Sequence, residues 1–415
     1  MLSRLRFLIC AAFVLCAAGP AAARQDAAAP GPAAPPPPAL TDDGRAQYPP
    51  LLANSFVSVN VGYINYAFSE RQLEPGYRAE SVAVPHVAVR AVLFGHHFGK
   101  YLSAQASYMR PVRYVKYRNL EGSGTHSVWL HFGTVTLQAR APAGRRVSLY
   151  GEGGLGITNR SGFEVDGHPV VRDAHFSSLL VGGGLEYRVS PAVDVVAGGA
   201  FIPRHPQDRE PETVFSSIGV RYTMRPLPAS RVQETVAAGF AFPTHLIQVG
   251  YATNAFGYRT NNFFSRTVPV FWGGTVKVER SLVSVRYQRN VFHTKKRLAF
   301  DIGASAGTWR SLGGERFQTF SVYPLVRFVF FRPRAADLYM SYSVAGPSYI
   351  SRRVIDDLNT GGHFTFQDFM GVGLFTGPHR HLNLEVGLNH YSNGNLIPDN
   401  AGVKIPLTFK VGYAF

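Results

Sequence analysis

Short segments in which apolar side chains recur at every second position run through most of this chain, and that period of two constrains its fold more than any other feature. In segment 57–63 the apolar set is Val57, Val59, Val61 and Tyr63, opposite Ser58, Asn60 and Gly62. In 214–224, Val214, Ile218, Val220, Tyr222 and Met224 face away from Ser217, Gly219, Arg221 and Thr223. In the last segment the alternation assigns Val403, Ile405, Leu407, Phe409, Val411, Tyr413 and Phe415 to one face, and Lys404, Thr408, Lys410 and Gly412 to the other. Side chains alternate across a strand, so this pattern reads as β structure. Beyond the amino-terminal segment, no stretch has the roughly 18 consecutive apolar residues of a membrane-spanning helix.

A soluble sandwich also alternates. Three features choose a membrane barrel instead. The polar faces are rich in glycine and carry charge, as the interior of a narrow barrel requires. Short turns (98–100, 142–145, 190–192) alternate with long connections (69–83, 117–125, 159–174, 203–212), and the chain ends on an aromatic strand at Phe415. Short turns on one side and long loops on the other is the pattern of outer-membrane barrels. The expected fold class is all-β, a transmembrane antiparallel β-barrel in the outer membrane of a Gram-negative bacterium. A mean hydropathy of −0.03 with 46% apolar residues fits alternating lipid-facing and lumen-facing positions.

Residues 1–23 read as a secretory signal, with Arg4 and Arg6 before an apolar stretch and Ala21–Ala23 as the cleavage site. Both cysteines, Cys10 and Cys16, lie within it, so the exported chain has neither disulfides nor a cysteine nucleophile. Residues 24–53 read as an Ala/Pro-rich disordered spacer. Residues 54–225 hold eight candidate strands, beginning near Val57, Val87, Leu102, Val128, Val147, Phe176, Val193 and Val214. Residues 226–243 form a connector, and 244–415 contain nine alternating stretches. Single-chain bacterial barrels have even strand numbers, so one stretch within 246–278 is expected not to span. The preferred architecture is two tandem eight-stranded barrels, with one barrel of about 16 strands as the alternative.

Chemistry concentrates in 382–392. Parity places His390 and Ser392 on the outward face with Leu382, Leu384, Val386 and Leu388. Polar groups facing lipid are costly, so the pair is either functional or an interfacial pair marking the end of the membrane band. With both termini periplasmic, the strand runs upward and the pair sits near the outer leaflet, where lipopolysaccharide resides. Side chains two apart on one face lie roughly 6.5–7 Å apart, within reach for an imidazole to activate a serine hydroxyl toward an ester.

The run His390-Tyr391-Ser392-Asn393-Gly394-Asn395-Leu396, followed by Pro398, Asn400 and Gly402, resembles the active-site segment of the outer-membrane lipid A 3-O-deacylases. Phe366-Gln367-Asp368 resembles a segment on that family's preceding strand. The resemblance implies an eight-stranded carboxylic ester hydrolase that removes an ester-linked acyl chain from lipid A. It implies His390 as general base and Ser392 as nucleophile, Asn393 and the amide near Asn395 as the oxyanion hole, and Phe366 in contact with substrate. The family places an orienting glutamate at the start of the last strand. Counting here gives Lys404 or Ile405, which leaves Asp399 in the intervening loop as the substitute, or a His–Ser dyad.

Glu385 falls on the inward face and is expected to pair with an interior cation such as Lys410. His379-Arg380-His381 and Lys295-Lys296-Arg297 read as solvated turns, and no metal-ligand spacing, phosphate loop or dinucleotide fingerprint occurs. No cofactor and no nucleic acid partner are expected. The net charge of +16 points to anionic partners, here lipopolysaccharide and outer-membrane lipids. Residues 54–225 resemble small OmpA-type barrels and carry no catalytic constellation. The alternative function is a non-catalytic surface barrel serving adhesion, envelope integrity or lipid binding. A diffusion porin fits poorly, because eight strands leave an interior filled by side chains.

Overall fold

The computed structural model describes residues 44–122, 124–267, 274–394 and 396–415. The expected signal segment and positions 24–43 of the spacer lie outside the described residues. The chain divides into two compact units, and each contains one closed eight-stranded antiparallel barrel.

The first barrel comprises β1 (Ser55–Tyr66), β2 (Val87–His97), β3 (Leu102–Pro111), β4 (Thr125–Pro142), β5 (Val147–Ser161), β6 (Ala174–Arg188), β7 (Val193–Ile202) and β8 (Thr213–Thr223). Each strand pairs with its sequence neighbours, and β1–β8 pairing closes the ring. At the long-loop end, Ala79–Ala83 and Val115–Leu120 extend the sheet beyond β4. Phe68, Leu73, Tyr117, Leu120, Val170 and Val171 from these connections fill that end with an apolar cluster.

Polarity is inverted relative to a soluble protein. Val135, Leu137 and Ile218 face outward and are 59%, 57% and 61% exposed, whereas Arg221 is 2% exposed in the lumen. Lumenal charges are paired: Arg90 meets Glu152 at 2.6 Å, and Gln105 donates to the same carboxylate. A sheet with charge inside and a wide apolar belt outside is stable only where the belt meets lipid.

The second barrel comprises β9 (His245–Ala252), β10 (Val276–His293), β11 (Leu298–Ser311), β12 (Arg316–Phe331), β13 (Ala336–Ile350), β14 (Phe364–Thr376), β15 (Leu382–Ser392) and β16 (Val403–Ala414). Stretch 276–278 is the start of β10 and not a strand of its own, which accounts for the ninth alternating stretch. Strand β9 is short, and above its end β10 meets β16 directly, pairing Val276 with Val403 and Lys277 with Lys404.

Two local features depart from the pattern of alternation. The β15–β16 ladder shifts register between Gly387 and Asn389, where Thr408 and then Ile405 are the partners. Pro406, which has no N–H for the ladder, lies in this bulge. The extra residue turns Val403 and Ile405 to the side of Tyr391 and Asn389, into an interior apolar cluster with Trp309 and Phe317. They therefore do not share the lipid face with Leu407 to Phe415. The second departure is the spacer, whose last residues are ordered. Arg45 is buried and donates to Phe242 O and Asn290 Oδ1, and Tyr48 stacks on Phe292. The connector forms helix α1 (Ala229–Ala237).

In the lumen of the second barrel, Lys410 Nζ donates to Glu385 Oε1 at 2.5 Å, and Arg327 meets Asp301 at 2.6 Å. Removing one member of a buried pair strands the other, so Lys410→Met is expected to destabilise this barrel by about 3–5 kcal/mol. Adding Glu385→Gln should restore most of the loss. Equilibrium unfolding in denaturant, read by the gel shift of the folded barrel, checks both. A double variant no more stable than the single would show that the pair is not the source.

Candidate active site

The lower half of β15 alternates cleanly: Leu382, Leu384 and Val386 are exposed outside, while Asn383 and Glu385 are buried inside. Interior anchors continue above. Asn389 donates to Thr408 Oγ1 and accepts from Arg286, and the Tyr391 hydroxyl accepts from Thr319 Oγ1 and Gln367 Nε2. With Asn389 and Tyr391 held inside, His390 and Ser392 take the outward side at the long-loop end.

Outward does not mean open here. His390 is 4% and Ser392 8% exposed. The β9–β10 connection contains helix α2 (Arg259–Thr267), which lies against this side of β14–β16. Asn261 Nδ2 donates to Ile405 O, Lys404 Nζ donates to Asn262 Oδ1, and Phe264 joins the cluster of Leu388, Met370 and Leu407. The alternation carries no trace of this short helix, and by parity alone the pair faces lipid directly.

Strand β14 supplies an acid. The turn joining β14 to β15 pairs Thr376 with Leu382, and the resulting register sets Asp368 opposite His390 and Phe366 opposite Ser392. Asp368 is 2% exposed, and its Oδ2 lies 3.6 Å from His390 Nδ1. Its Oδ1 accepts from the backbone N–H of Ala345 at 2.7 Å. Ala345 sits in a bulge of β13, with φ +54°, where the β13–β14 register jumps between Ser343 and Gly346. The bulge thus aims an N–H at the carboxylate and leaves the other oxygen toward the imidazole.

Asp399 makes a different contact: its Oδ2 accepts from Asn359 Nδ2 at 2.7 Å. Lys404 is the residue of β16 directly opposite His390. Asn393 is buried beside Ser392, but its side-chain amide donates to Thr360 O and Asp399 O, and its backbone N–H to Asn400 Oδ1. In this state Asn393 holds the 393–402 loop. Asn395 lies outside the described residues. Phe366 is half-buried and packs edge-on against Phe364 at 5.1 Å.

With Nδ1 on the side of Asp368, Nε2 lies at the opposite edge of the ring. It faces Gly402, where a Cβ would sit 3.3 Å from Nε2 and 3.1 Å from Gly274 Cα. Gly402 has φ +54°, so a side chain there also meets the left-handed penalty of roughly 1–2 kcal/mol. Gly402→Ala is expected to crowd the base and lower turnover while the barrel still folds. Turnover per folded molecule is the measurement, and an unchanged value would remove Gly402 from the site.

The family model described as lipid A 3-O-deacylase (PagL) matches residues 281–413, which contain His390, Ser392, Asp368 and Phe366. No curated protein matches the chain. Among solved structures, the outer-membrane enzyme PagL is 18% identical over 41% of this chain and 98% of its own, with a TM-score of 0.28. The N-terminal β-barrel domain of Pseudomonas aeruginosa OprF is 13% identical over 41% of this chain and 97% of its own, with a TM-score of 0.27. Neisserial surface protein A gives 13%, 41%, 97% and 0.26 in the same order.

Proposed function

We propose that the second barrel of this outer-membrane β-barrel protein, whose residues 281–413 match the family model described as lipid A 3-O-deacylase (PagL), is a serine esterase that removes an ester-linked acyl chain from lipid A. The observation that carries this reading is the row Asp368, His390, Ser392 on the outward side of two neighbouring strands, at the long-loop end.

The Ser392 hydroxyl attacks the ester carbonyl carbon while His390 Nε2 accepts its proton. Asp368 keeps Nδ1–H directed at itself and stabilises the imidazolium that forms. The tetrahedral oxyanion needs N–H donors. Asn393 and the backbone amides of the following loop, around Asn395, are assigned to it, the Asn393 amide being freed from Thr360 O and Asp399 O as the loop adjusts to substrate. Collapse breaks the C–O bond, and the proton on Nε2 leaves with the sugar hydroxyl. A water deprotonated by His390 then attacks the acyl-serine, releasing the carboxylic acid and restoring Ser392. Phe366, opposite Ser392, and the apolar row of Met370, Leu388 and Leu407 below it line the path of the acyl chain.

Lys404 lies opposite His390, and Lys277 pairs with Lys404 across the β10–β16 contact. Two ammonium groups on the outer-leaflet side suit the phosphates of lipid A. Expression of the wild-type chain should shift the mass of cellular lipid A by the loss of one acyl chain. Unshifted spectra from cells with the barrel folded in the outer membrane contradict the reading.

A further inference from the structure

The first barrel holds no part of this esterase site, yet its short-turn end carries a built cavity. Its volume is about 610 Å³, and it is lined by Lys100, Arg140, Arg145, Arg146, Arg188 and Arg225 against two carboxylates, Glu186 and Asp194. Both carboxylates are already committed. Glu186 is held between Arg221 and Arg140, the latter at 2.8 Å, and Asp194 lies 3.8 Å from Arg188. Arg225 is tied to Pro191 O and Asn54 Oδ1. Lys100, Arg145 and Arg146, all on short turns at the rim, have no carboxylate partner among the described residues.

His97 lies in the wall of the same cavity. It is 6% exposed, stacks on Phe56 at 4.5 Å between ring centres, and neither ring nitrogen has a hydrogen-bond partner among the described residues. A buried imidazole with both nitrogens unsatisfied is costly unless something supplies a partner. The opposite end of the barrel is filled by the apolar loop cluster, so the cavity is a bowl facing the short-turn, periplasmic side. Its volume falls within the range of small-ligand sites, roughly 300–1,000 Å³.

We infer that this bowl binds a phosphate-bearing anion from the periplasmic side. Guanidinium groups match phosphate oxygens in bidentate pairs, Arg145 and Arg146 present two of them from one turn, and an N–H of His97 donates to a further oxygen from the wall. The excess of cation over carboxylate supplies the charge balance for a dianion, and none of the lining residues belongs to the second barrel. The phosphate group has two possible sources: a soluble phosphate compound, or the headgroup of an inner-leaflet phospholipid.

The test titrates inorganic pyrophosphate into the full-length chain, folded in an uncharged maltoside micelle, by calorimetry. In parallel, NMR follows the imidazole nitrogen resonances of His97. Saturable binding that weakens with salt and shifts His97 is expected. Arg145→Gln with Arg146→Gln, in an exposed turn that leaves the barrel core untouched, should weaken it roughly tenfold or more. His97→Phe, which preserves the stack on Phe56, should weaken it and leave the fold intact. In nanodiscs, phosphatidylglycerol that competes with pyrophosphate while phosphatidylcholine does not identifies the headgroup as the source. Equal affinity in both lipids identifies the soluble compound. Absence of saturable binding in micelles, or binding indifferent to both variants, overturns the inference.

Discussion

Asp368→Asn is expected to lower the rate of lipid A deacylation by roughly two to four orders of magnitude while the barrel folds as the wild type does. The carboxamide keeps the size of the side chain and can still accept from Ala345 N–H. It no longer compensates an imidazolium, and it permits the wrong tautomer of His390. Since His390 Nδ1 lies 3.6 Å from Asp368 Oδ2 while Asp399 Oδ2 is bonded to Asn359, Asp399→Asn should cost far less. A companion variant uses the other neighbouring strand. Lys404 stands opposite His390 on β16, so Lys404→Glu places a carboxylate on the far side of the ring from Asp368. In the Asp368→Asn background, Lys404→Glu is expected to recover none of the lost rate, because a carboxylate on that side meets Nε2, the nitrogen that must take the serine proton. Equal activity of wild type and Asp368→Asn would return His390 to a dyad.

Asp368 shows what the sequence makes legible and where it stops. The strands beginning near Val57, Val87 and Val214 follow from period two, because lipid on one side and a charged lumen on the other force strict alternation. Glu385 and Lys410 were paired correctly by the same rule. Register across strands is a different quantity. It depends on where the turn 377–381 is centred, and once Thr376 is set against Leu382, Asp368 must face His390. Asp399, the acid of the intervening loop, accepts instead from Asn359. Two features carried no signal in the period of two. The bulge at Pro406 turns Val403 and Ile405 inward, since a proline in a strand marks a break without saying which way the ladder resumes. Helix α2 is nine residues long, too short to stand on its own periodicity, and it is held by tertiary contacts through Asn261, Asn262 and Phe264.

Ser392→Ala carries the other large effect. Removing the hydroxyl takes away the atom that forms the acyl intermediate, and neither Asp368 nor His390 can substitute for it in that step. The substitution deletes one oxygen from a side chain opposite Phe366 and leaves the interior anchors Asn389 and Tyr391 in place, so folding should be unaffected. The decisive measurement uses purified, folded full-length protein with defined lipid A in detergent, following free fatty acid and the mass of the recovered lipid A. The esterase account predicts release of one acyl chain by the wild type, and release by Ser392→Ala at or below a thousandth of that rate, roughly the residual expected when a nucleophile is lost. Equal release by the two proteins, or none by the wild type, would contradict it.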